Sequence, residues 1–260
     1  MKHLNNISTS TNMASSPFVL RPMLPRDCDA QHRITSEAFW DSLMPIFHPT
    51  GHTPEDKVHD RQAQLKRLQE TNGVGRYMVV VDTSAPPPEE DLAALSATER
   101  TEAEAEGRIA GYGFWKFYPN DRTDAELDAE ADKAKTESLP PSANVPAMEV
   151  FFGALGRDRR KILGGKAYYL LNILATDPKY HRRGVGAIHL KWGLDQADEA
   201  GVPAFLEASP YGQPLYARWG FEPMYRISIP EEEMHHFKGQ EEHIPMIMYR
   251  PAKVKTNGPS

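Results

Sequence analysis

The sequence predicts an α/β protein with a mixed sheet, about seven strands interleaved with four or five helices on both faces. Three observations carry the prediction. Apolar runs of strand length alternate with helical patterns along the chain, and no segment repeats. The apolar run Tyr168 to Ala175 is broken at Asp177-Pro178, then followed by His181-Arg182-Arg183-Gly184-Val185-Gly186 and a helical pattern reaching Ala200. A further strand-like run, 202–209, leads into Leu215-Tyr216-Ala217-Arg218-Trp219-Gly220-Phe221.

The elements follow in order. Residues 18–25 read as a first strand, and 27–40 as a helix with Asp27 in the N-cap position. Residues 43–51 form a Pro-broken loop. Thr53-Pro54-Glu55-Asp56 opens a second helix, with Thr as cap, Pro in the first turn and acids near the positive end. That helix stops at Asn72-Gly73. Residues 76–82 and 108–119 read as strands that pair with each other. Residues 139–146 are a Pro-rich linker and 148–163 a helix with a basic end. Strand 167–176, helix 185–200, strand 202–209, a short helix at 212–219 and strand 222–229 follow. An acidic, His-containing connection over 230–243 precedes the last strand, 244–250.

Composition narrows the function. The 260 residues carry a net charge of −6. The acidity sits in two insert-like segments, residues 84–107 and 120–146. The acidic part of each, 84–107 and 120–137, holds seven carboxylates, and together they carry −10, which leaves the rest of the chain near +4. The Ala/Glu-rich part of the first insert reads as a short exposed helix or as disorder, and the bland reading of 124–136 is a solvated face. Nothing forms the basic, aromatic-interleaved surface that nucleic acid needs. No apolar run has transmembrane length. The single cysteine, Cys28, excludes an internal disulfide and a Cys-based zinc site, and it favours a reducing, cytoplasmic setting, the nucleus included. Residues 1–16 and 252–260 read as disordered tails flanking one domain over 17–251.

The segment around Gly184 carries chemistry. The first N–H groups of a helix have no partner within it, and the macrodipole makes that end positive. Glycine lets an anion approach the backbone closely. The pattern is not the dinucleotide fingerprint, because position 189 is His, and no Gly-Lys-Ser/Thr follows as in a Walker loop. It resembles the pyrophosphate loop of the GCN5-related N-acetyltransferase superfamily, Gln/Arg-x-x-Gly-x-Gly/Ala, with His181 where that family prefers Gln or Arg. Tyr216 to Phe221 resembles the family's Tyr-x-x-x-Gly-Phe block, in the usual order and spacing. The likeness is specific over 170–221, follows the element order over 18–250, and is absent from the acidic inserts. The wording of the two blocks looks most like fungal members.

The resemblance implies a sheet that splays in a V between the 167–176 and 202–209 strands, with acetyl-CoA as co-substrate in the opening. The backbone of Leu174, Ala175 and Thr176 would bind the pantetheine arm, and an N–H near Leu174 would act as oxyanion donor. His181, Arg182 and the amides of Arg183, Gly184, Val185, Gly186 and Ala187 would meet the pyrophosphate. Arg183, directly before Gly184, is the stronger candidate for a side-chain contact, and Arg182 the more solvated.

Tyr216 is the candidate acid that protonates the departing thiolate, since a phenol and an alkyl thiol have similar pKa values; its alternative is a core tyrosine. Ser209 either faces the CoA arm or caps a strand end. The general base is open. Glu207 is one candidate and a paired structural carboxylate its alternative. Asp177 is equally explained by turn chemistry before Pro178, and a water chain needs no base at all.

The expected activity is direct acetyl transfer to a primary amine, a small molecule before a protein. The alternatives are a CoA-binding module without catalysis, or transfer of a longer acyl group or to a hydroxyl. The acceptor site is expected from loop 40–51, strand 112–118 and the connection before Ile244, with Phe39, Trp40, Phe47, Tyr112 and Phe114 as an apolar or aromatic wall. His48, His235 and His236 show no metal-ligand spacing, so no metal is expected. A homodimer is compatible with the resemblance, although 222–250 carries no interface pattern.

Overall fold

The computed structural model describes residues 16–70, 73–135 and 138–253. Of the two expected tails, only Ser16, Ala252 and Lys253 fall among them. Seven strands form one sheet among the described residues: β1 (Phe18–Pro22), β2 (Gly75–Asp82), β3 (Arg108–Tyr118), β4 (Tyr168–Thr176), β5 (Ala204–Ala208), β6 (Glu222–Arg226) and β7 (Met246–Arg250). Their order is β1-β2-β3-β4-β5-β7-β6, antiparallel throughout except for β4 beside β5.

The helices are α1 (Cys28–Phe39), α2 (Met44–Phe47), α3 (Pro54–Gln69), α4 (Glu89–Leu92), α5 (Ala97–Glu106), α6 (Asp124–Lys135), α7 (Val145–Leu163), α8 (Val185–Ala200) and α9 (Gln213–Arg218). Residues α1 and α3 direct inward pack with Val79, Val81 and Tyr112 on one sheet face. α7 joins that face further along, against Leu170 and Phe205. α8 covers the other face through Leu190 and Leu194, against Trp115, Leu171 and Leu206.

Several local signals read as expected. Thr53 accepts from Asp56 N–H while Asp56 accepts from Thr53 N–H, a reciprocal capping box that starts α3. Two differ. Asp27 does not cap α1; its carboxylate turns back to Arg21 at 2.6 Å and to Leu24 N–H at 2.7 Å. α7 begins at Val145, because Asn144 caps it and Pro146 sits in the first turn, where its missing N–H costs nothing. The first acidic insert is two helices tied down by charge: Arg26 pairs with Glu102 at 2.5 Å and with Glu106 at 2.7 Å.

α8 lies unusually close to β3. A Cβ at Gly193 would sit 2.2 Å from the Trp115 ring, and one at Gly113 would sit 2.6 Å from His189 Nδ1. Glycine at both positions therefore sets how near the helix comes to the strand. His189 is fully buried there, and burial lowers its pKa to about 4. The unfolded ring, with an ordinary pKa near 6.5, takes up a proton that the native ring refuses. Its contribution is thus complete above about pH 6.5 and falls as the pH drops toward 4, by on the order of 3 kcal/mol. Urea unfolding near neutral pH and near pH 4 should show this slope, and His189→Gln should flatten it. Equal slopes in both proteins would show that the ring titrates normally.

Candidate active site

The sheet has a seam. β4 and β5 pair only at Tyr169↔Ala204, Leu170↔Phe205 and Leu171↔Leu206. Beyond Leu171, β4 continues to Thr176 bonded to β3 alone, while Glu207 and Ala208 pair with β7. The register of β3 against β4 shifts between Phe114 and Trp115, which leaves Asn172 as the extra residue. A bulge increases local twist, and this one falls where the parallel pairing ends. The expected V-shaped opening is present, with the backbone of Leu174, Ala175 and Thr176 along one lip.

The turn after β4 is built around Asp177. Its carboxylate is fully buried and accepts from Arg108 at 2.7 Å, Lys179 N–H at 2.9 Å and Arg33 at 3.1 Å. Burial alone would raise its pKa, but Arg108, the Lys179 amide and Arg33 together hold it below the usual carboxylate range. Both its oxygens are engaged, Oδ2 by the two arginines and Oδ1 by the Lys179 amide, so it acts as the anchor of the turn. From there the chain passes through Arg182 (φ 59°) and Gly184 (φ 91°) into α8. Gly184 is the N-cap without any capping side chain, and the first bond of the helix is Ile188 N–H to Gly184 O at 3.1 Å. The amides of Val185, Gly186 and Ala187 thus have no partner within the helix.

Gly186 brings the parts together. A Cβ there would lie 3.2 Å from Leu215, 3.7 Å from Leu174 and 3.9 Å from Thr176. The open lip of β4, the amide end of α8 and the start of α9 therefore meet at one glycine. Tyr216 follows Leu215 on α9 and belongs to the apolar cluster against which Leu174 and Leu215 pack. It is buried, its ring lies edge-on to Phe221 at 6.1 Å, and a Cβ at Gly212 would come within 2.7 Å of it. Burial pushes its phenol pKa up, so the proton stays on the oxygen. Ser209 accepts from Gly212 N–H at 3.3 Å, the strand-end cap that its position allows.

The charged side chains are placed unevenly. Arg183 stacks over Tyr180 at 4.5 Å and Phe18 at 5.1 Å, and lies 3.6 Å from Asp82. The expectation that it is the better phosphate ligand meets a competing carboxylate. Arg182 is exposed and makes no ion pair among the described residues, while His181 Nε2 lies 3.2 Å from Thr176 O. Glu207 is held bidentately by Arg159 of α7, at 2.6 and 2.8 Å, with 7% of its side chain exposed. That partner leaves no signature in the sequence, because the two residues are 48 positions apart.

The acceptor wall differs from expectation. Tyr112 and Phe47 are core residues, and Phe114 stacks on Tyr77 at 4.3 Å. Trp40, at 58% exposure, instead borders a cavity of about 560 Å3 together with Glu37, Asp41, His52, Glu90 and Pro178. Arg33, Lys57 and Asp91 also line it. His32, on the same cavity, points to Asp60 at 3.3 Å. Sequence spacing does not group His32, His52 and Asp60, which come from two helices and a loop.

Comparison with known proteins agrees with this architecture. No family model matches the chain. A probable acyltransferase SID5 from Ajellomyces capsulatus is 28% identical over 89 residues, 34% of this chain and 65% of that protein. The match thus spans less than two thirds of that relative. An acetyltransferase from Stachybotrys chartarum is 23% identical over 220 residues, 83% of this chain and 86% of the relative. Among solved structures, the mosquito arylalkylamine N-acetyltransferase like 5b superposes with a TM-score of 0.56 at 16% identity, covering 89% of this chain and 98% of that one. This last likeness is one of fold.

Proposed function

We propose that this chain, which has the fold of the GCN5-related N-acetyltransferases and sequence relatives named as acyl- and acetyltransferases, moves the acetyl group of acetyl-CoA directly to a primary amine in a ternary complex. One observation carries the reading: the β4–β5 pairing stops after Leu171↔Leu206, beside a helix end with free amides. Residues 172–176 of β4 offer an extended edge to an amide-bearing arm, and the amides of 185–187 offer donors to a pyrophosphate at its end. An N–H of β4 near Leu174 would stabilise the tetrahedral oxyanion, a contribution typically on the order of 100-fold or more. Tyr216, kept protonated by burial, would donate to the departing sulfur.

The acceptor is a small molecule in this reading. The cavity of about 560 Å3 has the size of a small-ligand site. Glu37, Asp41 and Glu90 on its rim favour a cationic amine, and salt would weaken that attraction. The test is release of free CoA thiol from acetyl-CoA with a panel of primary amines, with the acetylated product identified by mass. Saturable acetyl-CoA binding without thiol release for any amine would leave a binding module and sink the enzyme reading.

The loop makes a separate prediction. Arg182→Glu and Arg183→Glu should each weaken acetyl-CoA binding by about tenfold or more, while turnover at saturation changes little. Each reversal replaces an attraction near phosphate by a repulsion of one to two kcal/mol, roughly. Calorimetric titration decides it, and unchanged affinity in both variants would move the pyrophosphate elsewhere.

A further inference from the structure

The junction of α1 and α3, on the wall of the cavity assigned to the acceptor, carries a constellation of side chains to which the proposed transfer gives no role. His32 lies on α1, Asp60 on α3, and His52 stands just before the Thr53 cap of α3. One ligand atom from each of the three lies within 4.8 Å of the others. His32 and His52 ring centroids are 5.3 Å apart, and His48 packs edge-on against His52 at 4.0 Å.

Ordinary hydrogen bonding accounts for part of the group only. Asp60 sits between His32 Nδ1 and His59 Nδ1, both at 3.3 Å, and His59 Nε2 reaches Ser138 at 2.9 Å. His48 Nδ1 is committed to Ser142 at 2.9 Å. His52 is the exception. Among the described residues its Nδ1 has one contact, with Ser36 Oγ at 3.5 Å, and its buried Nε2 has no hydrogen-bond partner. A buried imidazole nitrogen without a partner calls for one.

We propose that His32, His52 and Asp60 form a binding site for a divalent transition metal of the zinc type, with its remaining position open to the cavity that both histidines line. Two imidazoles and a carboxylate are a ligand set that suits this ion and leaves a fourth place for water or another ligand. Tetrahedral bonds of roughly 2.0–2.2 Å bring ligand atoms to within about 3.5 Å of each other, so the three groups close by about an ångström around the ion. His59 then acts as the group that orients Asp60. Two ligands stand on helices and His52 directly precedes the Thr53–Asp56 capping box of α3, which keeps the site in shape.

The chain also groups Glu233, His235 and His236, all within a single short turn. His235 Nδ1 already bonds Glu232 O at 2.8 Å, and His235 is exposed. It serves as the internal control.

The experiment is calorimetric titration of the chelator-stripped full-length protein with Zn2+, repeated with Co2+ while recording its visible spectrum. The expected result is one equivalent bound at the His32 site, an intense visible Co2+ band of tetrahedral type, and a higher melting temperature with Zn2+. Affinity should fall by at least 100-fold in His52→Ala and in Asp60→Asn, and stay unchanged in the His235→Ala, His236→Ala double variant. Asp60→Asn keeps the side-chain shape and carries the test if His52→Ala does not fold. No uptake by the wild type, binding that survives Asp60→Asn, or binding lost in the His235→Ala, His236→Ala protein would each overturn the proposal.

Discussion

Tyr216→Phe is expected to lower turnover by about 100-fold or more while leaving acetyl-CoA affinity within a factor of two, roughly the signature of a lost general acid. The substitution keeps the ring against Phe221 and Gly212 and removes one oxygen. The departing thiolate then has to collect its proton from water. A phenol is protonated across the neutral range at its ordinary pKa and burial shifts Tyr216 further the same way, at the expense of its match to the thiol, so loss of its oxygen should be felt at every pH where the enzyme is active. Steady-state rates at saturating acetyl-CoA, set beside a binding titration, read this out. An equal fall in affinity and turnover would recast Tyr216 as a packing residue.

Arg159→Met is expected to destabilise the fold by about 1–3 kcal/mol, between the cost of breaking an exposed ion pair and a buried one, because the pair is part-buried. Glu207 lies on the central part of the sheet beside Phe205 and Leu206, and no other cation pairs with it among the described residues. Replacing both partners, Arg159→Met with Glu207→Leu, should recover much of the loss, since an apolar pair avoids the desolvation that the ion pair carries. Urea midpoints for the two singles and the double form the cycle. If Arg159→Met costs under about 1 kcal/mol, comparable to an exposed pair, the clamp is not the structural element that its geometry indicates. Glu207→Gln separates this from catalysis: a base would show a large fall in turnover with stability intact, whereas a clamp would show the reverse.

The sequence told most about backbone and least about side-chain partners. Apolar runs and the Gly184 turn located β4, the start of α8 and their order, because those depend on local period and local donors. The seam itself follows from where pairing stops, and only the resemblance anticipated it. α7 was harder to delimit, because Pro146 read as a breaker although a proline in the first turn suits a helix. The aromatic wall failed for a physical reason: Tyr112 and Phe47 alternate inward to a core shared with helices, and hydrophobicity alone does not tell a pocket from a core. Arg159 with Glu207, Arg33 with Asp177, and His32 with His52 and Asp60 are contacts across distant segments, and no spacing rule reaches them.

The three-residue seam between β4 and β5 also has a mechanical consequence. Two half-sheets, β1 to β4 and β5 to β6, are joined edge to edge by a ladder about one turn of side chains long, with α7 and α8 as splints across the faces. A slender arm seated in the gap would continue that ladder and act as a suture between the halves. Occupancy would then register far from the arm itself, as slower hydrogen exchange at the strand ends on both lips, and as greater resistance to pulling the two halves apart.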